Sequence, residues 1–377
     1  MTVTPIKFID LGAQSERIRS KVDAAVAAVL DHGAFIMGPE VKNLEEKLAD
    51  YCGVKHAISC SSGTDALLLP LMAKGVGPGD AVIVPTFTFA ATAEVVALLG
   101  AAPVFADVDR TSFNLDLASV ERAFDVAVAR GLNPVGLIGV DLFGQMPDYD
   151  ALRIFAAEKD IWLIADAAQS FGSTIDGRRA GQFGDATATS FFPAKPLGCF
   201  GDGGAIFTDD DELATVIRSL RVHGQGADKY DNVRIGTNAR LDTIQAAILL
   251  EKLWIFDDEL ERRQAVADRY DQGLRHLVEV PTLVEGRTSA WAQYTIKLEQ
   301  RDAAAASLKE LGIPTNVYYP NPLHTLTAFR NFPRAADHLE MAEELSRTVL
   351  SLPMHPYLEV ADQERIIDGV SQVLESR

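Results

Sequence analysis

Ile161-Trp-Leu-Ile-Ala-Asp-Ala-Ala-Gln169 is a short apolar run that ends on a carboxylate followed by small residues. An apolar run with no polar alternation is the pattern of a strand covered on both faces, as in a parallel sheet. An Asp at the end of such a strand sits against low-dielectric core, where its charge is costly unless it meets a cation or a strong donor. Working outward, comparable runs occupy residues 57–59, 81–84, 103–106, 135–140, 186–192 and 204–208. Helical periodicity covers residues 63–74, 90–99, 117–130, 149–158 and 210–221, and two helices, 15–31 and 40–51, precede the first strand. This alternation predicts an α/β fold built on a mostly parallel, mixed sheet with helices on both faces.

Beyond residue 242 the texture changes. A long helical pattern covers 242–274, and then come a strand at 294–298, a helix at 303–311, a strand at 315–319 and helices at 338–349 and 362–374. The reading is a large α/β domain over residues 1–250 and a smaller α+β C-terminal domain over 251–377. The length of 377 residues, set against about 150 per domain, agrees with two domains.

Composition narrows the function. Lys+Arg number 35 against 53 Asp+Glu, a net charge of −18, and a surface so acidic repels phosphate backbones and anionic lipid. No general nucleic-acid or membrane binding is expected, and any anionic ligand needs a local pocket. With 47% apolar residues and no run near the roughly 18 a membrane span requires, the chain reads as soluble and globular. The first ten residues lack a basic region followed by an apolar stretch, which predicts a cytoplasmic protein without a secretory signal. Cys52, Cys60 and Cys199 have no CxxC spacing and read as small buried hydrophobes in a reducing compartment, with no metal site implied.

Four places just past strands could carry chemistry, since ligands of parallel α/β sheets gather at the carboxyl ends of strands. Cys60-Ser-Ser-Gly-Thr-Asp65 opens a helix with small residues, so free amides with the Ser62 and Thr64 hydroxyls could cradle a phosphate at Gly63; the same residues also make a plain capped helix start. Asp166 ends its strand and either holds a cation or caps the next helix. Lys195 stands among aromatics, prolines and glycines in Ser190-Phe-Phe-Pro-Ala-Lys-Pro-Leu-Gly-Cys-Phe-Gly-Asp-Gly-Gly204, where desolvation would lower its pKa towards a nucleophilic free amine. Asn238 and Arg240 precede the long helix, and Arg offers a bidentate fork for phosphate or carboxylate. Phosphate donors, a carboxylate, a lysine and an anion clamp together are what pyridoxal 5′-phosphate requires of its protein.

With these residues in view, the sequence resembles the DegT-type nucleotide-sugar aminotransferases, a branch of the fold-type I, aspartate-aminotransferase-like pyridoxal-phosphate enzymes. The likeness runs from Ile9 to the last helix. It rests on the order of Gly38-Pro-Glu-Val41, Ser62-Gly-Thr-Asp-Ala-Leu67, Pro85-Thr-Phe-Thr-Phe-Ala-Ala-Thr92, Asp166-Ala-Ala-Gln169, Ser190-Phe-Phe-Pro-Ala-Lys195, Gly201-Asp-Gly-Gly204 and Asn238-Ala-Arg-Leu-Asp242. The resemblance implies that Lys195 carries the cofactor as a Schiff base and later moves the proton, and that Asp166 holds the pyridinium charge. By the same likeness Gln169 lies beside the ring, Phe89 stacks on it, and Ser62, Gly63, Thr64 and Ser190 bind its phosphate. Asn238 would reach the cofactor phosphate of a neighbouring subunit, making a homodimer with active sites at the interface. Related dehydratases carry His at the lysine position, so Lys195 favours transamination. The chain departs from the family in having Asp202 where Glu is common and the apolar Pro196-Leu-Gly-Cys199 after the lysine.

The implied partners are glutamate as amino donor and a nucleotide-linked keto-sugar. Tyr318-Tyr-Pro-Asn-Pro-Leu-His324 is similar to the branch acting on UDP-linked 3-keto sugars, including 3-keto uronates. On that likeness Arg240, Tyr319 and His324 would contact sugar, with Lys229, and His223 and Tyr230 near it, as further candidates; for His324 a core or turn role is the alternative. The other readings left open are a C4 keto-sugar aminotransferase of dTDP or UDP sugars, and a cofactor-binding regulator without turnover.

Overall fold

We describe residues 5–228 and 230–375 of a computed structural model of the chain. The chain begins with α1 (Leu11–His32), capped by Asp10, whose carboxylate accepts from Ala13 N at 3.0 Å, and α2 (Pro39–Cys52), with proline in its first position. Strand and helix then alternate through β1 (His56–Cys60), α3 (Gly63–Ala73), β2 (Asp80–Pro85), α4 (Ala91–Leu98), β3 (Ala102–Ala106), α5 (Leu117–Ala129), β4 (Asn133–Val140), α6 (Tyr149–Glu158) and β5 (Trp162–Asp166). A two-residue hairpin follows, β6 (Thr174–Ile175) and β7 (Arg178–Arg179), and then β8 (Ala186–Ser190), β9 (Gly204–Thr208) and α7 (Asp211–Leu220).

The seven long strands make one sheet in the order β1-β9-β8-β5-β4-β2-β3. Four pairings are parallel; β9 alone runs backwards, antiparallel to both β1 and β8. The expected mixed, mostly parallel sheet is therefore present. Its consequence is that the carboxyl ends of β1, β5 and β8 share one edge, with the start of β9 between the first and last of them. Val82, Ile83, Val84, Leu137, Ile138 and Ile164 are fully buried between the helix layers, which is why these runs carry no polar alternation.

The chain continues in α8 (Thr243–Leu274), which spans the molecule, then β10 (Tyr294–Lys297), α9 (Arg301–Glu310), α10 (Glu340–Thr348), β11 (Val349–Leu352) and α11 (Val360–Glu375). A second core forms here from Tyr270, Tyr294, Ile296, Leu350, Leu352 and Ile366, joined by Ile6 from the N-terminal segment. Two expectations need correction. The strand expected at 315–319 pairs at one position, Asn316 with Ser351, because Tyr318 and Tyr319 leave the sheet to pack against Phe8, Phe87 and Phe89. The helix expected at 338–349 stops at Thr348, and Val349–Leu352 is a strand paired with β10. Among the described residues no helix is long and apolar enough to cross a membrane.

Candidate active site

Asp166 ends β5, between β4 and β8, and is 8% exposed. Its carboxylate accepts from Ala168 N at 3.1 Å. Burial pushes its pKa up, while the Ala168 N–H and the Lys195 ammonium pull it down. A second carboxyl lies behind it. Asp141 donates its backbone N–H to Asp166 O at 3.0 Å, and its side chain accepts from the hydroxyls of Tyr149 and Ser170. Complete burial, partly countered by those hydroxyls, drives the Asp141 pKa well above the usual carboxylate range.

Lys195 follows β8 in a turn closed by its own N–H, which donates to Phe192 O at 2.8 Å. The side chain is half-buried; desolvation lowers its pKa and the charge of Asp166 opposes that shift. The two groups influence each other without an ion pair between them, so each retains capacity for another partner.

Beside Lys195 the end of β8 meets the start of α3. Ser62 caps that helix, accepting from Asp65 N at 3.0 Å, and the next N–H groups belong to the first turn, which has no partners within the helix. Space here is tight by design of the sequence: a Cβ on Gly63 would lie 2.5 Å from Ser190 Cβ, and one on Gly204 would lie 2.4 Å from Ser62 O. Only glycine lets β9 fit between β1 and β8 while bringing Ser62, Gly63, Thr64 and Ser190 together. The result is a half-exposed pocket of amides and hydroxyls at a helix N-terminus, the arrangement that suits a phosphate dianion.

An aromatic wall completes the site. Phe89 is 58% exposed, and its ring centre lies 6.4 Å from that of Tyr319, which also meets Phe87 edge-on at 6.2 Å. Gln169 is buried, accepts from Phe143 N at 2.7 Å and reaches the Tyr319 hydroxyl at 3.4 Å. Asp166, Gln169, Lys195 and Tyr319 thus share one electrostatic neighbourhood, as the Asp166 charge on both Lys195 and Tyr319 shows.

The remaining candidates stand apart. Asn238 is exposed and accepts from Arg240 Nε at 2.9 Å, while Ala239 O between them accepts from Ser61 N at 3.1 Å. His324 is 3% exposed, with Nδ1 2.7 Å from Thr86 Oγ1 and Nε2 3.3 Å from Glu343 Oε1, so both ring nitrogens face groups of its own chain and the core alternative describes its surroundings. His223 and Tyr230 lie on the loop before Asn238, Tyr230 86% exposed, and Lys229 lies outside the described residues. All three cysteines are buried.

Among the described residues, sequence reading missed the buried cations Arg221, Lys252, Arg263 and Arg301, of which the first two touch segments leading to the site. Arg221 is 4% exposed and donates to Ser59 O at 2.7 Å and to Glu45 at 2.5 Å, bracing the strand that leads into the phosphate pocket. Lys252 on α8 is 1% exposed. A signal was available: Glu45 follows Val41 by four residues and Lys252 follows Ile248 by four, so both charges fall on the apolar face of their helices.

A lysine, a buried carboxylate, an anion pocket and an exposed aromatic face at the carboxyl edge of a parallel sheet define the class of pyridoxal-phosphate enzymes with an aspartate-aminotransferase-like fold. The residues fit that cofactor, since the start of α3 offers amide and hydroxyl donors suited to a phosphate and the buried Asp166 carboxylate forms no ion pair with a cation among the described residues. Over residues 16–371 the chain matches the DegT/DnrJ/EryC1/StrS aminotransferase family, and it belongs to that family. It is 49% identical to the UDP-2-acetamido-2-deoxy-3-oxo-D-glucuronate aminotransferase of Pseudomonas aeruginosa, over 94% of this chain and 97% of that one. The crystal structure of a DegT DnrJ EryC1 StrS aminotransferase from Brucella abortus superposes with a TM-score of 0.96 at 52% identity, covering 98% of this chain and 99% of that one. NtdA from Bacillus subtilis, solved with bound cofactor PMP, superposes with a TM-score of 0.91 at 29% identity, over 100% of this chain and 86% of that one. The protein is a sugar aminotransferase that depends on pyridoxal 5′-phosphate.

Proposed function

We propose that this aminotransferase moves an amino group from glutamate to a UDP-linked 3-keto sugar, of the 3-keto uronate kind, in amino-sugar and polysaccharide synthesis. The observation that carries the reading is the meeting of Lys195, Asp166 and the α3 amide pocket in a chain 49% identical to an enzyme named for a UDP-3-oxo-glucuronate. When bound, pyridoxal phosphate supplies the electron sink and carries the amino group between half-reactions.

Each residue then has a task. The first-turn N–H groups at Gly63 and Thr64, with the Ser62 and Ser190 hydroxyls, hold the cofactor phosphate. Asp166 holds a proton on the pyridine nitrogen, and Phe89 and Gln169 confine the ring. The Lys195 amine, kept below its ordinary pKa by burial, would take the proton from the α carbon of the amino donor in one half-reaction and deliver a proton to the sugar carbon in the other. Tyr319 and Arg240 meet the sugar nucleotide, Lys229 is a further candidate for it on the family likeness alone, and His324, bonded to Thr86, holds the segment that carries Phe87 and Phe89. We assign residues 1–250 to the cofactor domain and 251–377 to the smaller domain.

The working unit in this proposal is a cytoplasmic homodimer in which Asn238 reaches the partner's cofactor phosphate; its exposure and its place beside Ser61 support that role. The deciding experiment supplies UDP- and dTDP-linked 3-keto and 4-keto sugars with glutamate and follows amination by mass spectrometry. Turnover confined to 4-keto or dTDP substrates would reject the assignment.

A further inference from the structure

The loop that follows Lys195 doubles back on itself. A Cβ on Gly198 would lie 2.5 Å from Pro193 O and 2.6 Å from Phe192 O, so this residue packs against the backbone of the turn that presents Lys195. Phe192 O is the acceptor for Lys195 N, and Cys199 N donates to Phe191 O at 2.8 Å. The loop is then held to α8 at two points two helical turns apart. Gln245 Oε1 accepts from Phe200 N at 2.9 Å, and Lys252 Nζ donates to Gly198 O at 2.5 Å while lying 4.6 Å from the centre of the Phe200 ring.

A lysine 1% exposed is an expensive way to fill that space. Burial pulls its pKa down to about 8, with the charges of Glu259 and Cys199 opposing the shift. A methionine of similar length would pack without the desolvation cost, but it could not bond the Gly198 carbonyl, which would then be left unpaired beneath the loop. The same face of α8 carries two more buried charges. Glu259 accepts from Gln14 Nε2 at 2.8 Å and from the Tyr357 hydroxyl, and Arg263 donates to Trp291 O at 2.9 Å. The helix that grips the lysine loop is in this way tied to the N-terminal helix and to the second core.

We propose that Lys252 is a positioning residue for Lys195: by bonding Gly198 O from α8, it fixes the turn at 192–198 and so aims the Lys195 amine into the site. The inference rests on Lys195 being the cofactor-bearing lysine. Lys252 has no role in bond making.

The test compares wild type, K252M and K252Q as full-length protein titrated with pyridoxal phosphate, read by the absorbance of the bound cofactor. K252M should hold the cofactor about tenfold to a hundredfold more weakly, the size of a lost charged hydrogen bond, and should move the pH midpoint of the bound chromophore. K252Q, a neutral donor, should fall between, about threefold weaker. Wild-type affinity and midpoint in K252M would overturn the proposal, as would variants whose melting temperature drops while the midpoint stays still. If K252M does not fold, K252Q decides alone, and wild-type affinity and midpoint there overturn the idea. Borohydride reduction and peptide mass analysis separate this claim from its premise. A label on Lys195 with an unaltered K252M sinks the positioning role only; a label on Lys252 sinks both.

Discussion

At the scale of single residues, the proposed site would work by making each charge depend on another. Asp166 is buried enough to resist ionisation, and Lys195 is buried enough to resist protonation, yet the two lie within electrostatic reach. A cationic ring nitrogen next to Asp166 satisfies the carboxylate and leaves the lysine free to act as a base. Asp166→Asn keeps the shape and removes the charge that stabilises the electron-poor ring. We expect kcat to fall by about 10² to 10³ with a much smaller change in KM, measured by steady-state kinetics, the split diagnostic of a transition-state effect. Gly63→Ala tests the phosphate pocket instead. Its new methyl would lie 2.5 Å from Ser190 Cβ, so β8 and α3 must part, and cofactor affinity should fall by at least about tenfold in an absorbance titration. Both residues stand out in the sequence only when taken together with the other motifs, since each alone reads equally well as part of a helix start or cap. Arg221 does not stand out, because a lone arginine at a helix end reads as surface until its partners, far along the chain, are in place; Lys252 carries only its four-residue spacing from Ile248 as a signal.

At the scale of elements, the strands of the parallel half could be read directly, since burial on both faces leaves a continuous apolar run. The direction of β9 could not, because a reversed central strand has the same composition as a forward one. β11 was hidden for a different reason: Val349 follows Thr348 of α10 with no glycine or proline between, so the sequence pattern carries no break in the helical register. Buried charges hold these elements in place. Arg221 joins the end of α7 to Ser59 on β1 and Glu45 on α2. Arg221→Met would leave Glu45 without its cation, although still bonded by Ser59 N and Oγ, and a loss of about 1–3 kcal/mol is expected in urea unfolding of the apoprotein. His355 gives the second core a pH dependence. It is 4% exposed, and among the described residues its ring nitrogens have no side-chain hydrogen-bond partner, with the Lys7 backbone close by. Burial, helped by the Arg263 guanidinium, lowers its pKa from 6.5 to about 4. The unfolded chain therefore binds the proton more tightly, and stability is complete above pH 6.5 and is lost as pH falls through 4. The loss over that window is about 3 kcal/mol, and His355→Gln should flatten this part of the curve of unfolding free energy against pH.

At the scale of the whole molecule, a net charge of −18 coexists with a site for anions because the favourable potential is confined to the α3 N-terminus, Lys195 and the region of Arg240. That local supply is thin for a cofactor phosphate together with a sugar-linked diphosphate. The proposed dimer increases it, since Asn238 and Arg240 from one subunit would face the phosphate groups held by the other. Subunit mixing tests this without knowledge of the substrate's full identity. K195A abolishes the base of its own site but leaves its Asn238 intact; N238D does the reverse and adds a repulsive charge. If Asn238 acts across the interface, a hybrid of the two has one site with both defects and one with neither. Random reassortment of equal amounts should then restore about one quarter of wild-type activity from two nearly inactive proteins, since half the dimers are hybrids and half their sites are whole. If Asn238 serves its own subunit's cofactor, every site in every hybrid carries one defect. Activity after mixing would then stay at the level of the parents.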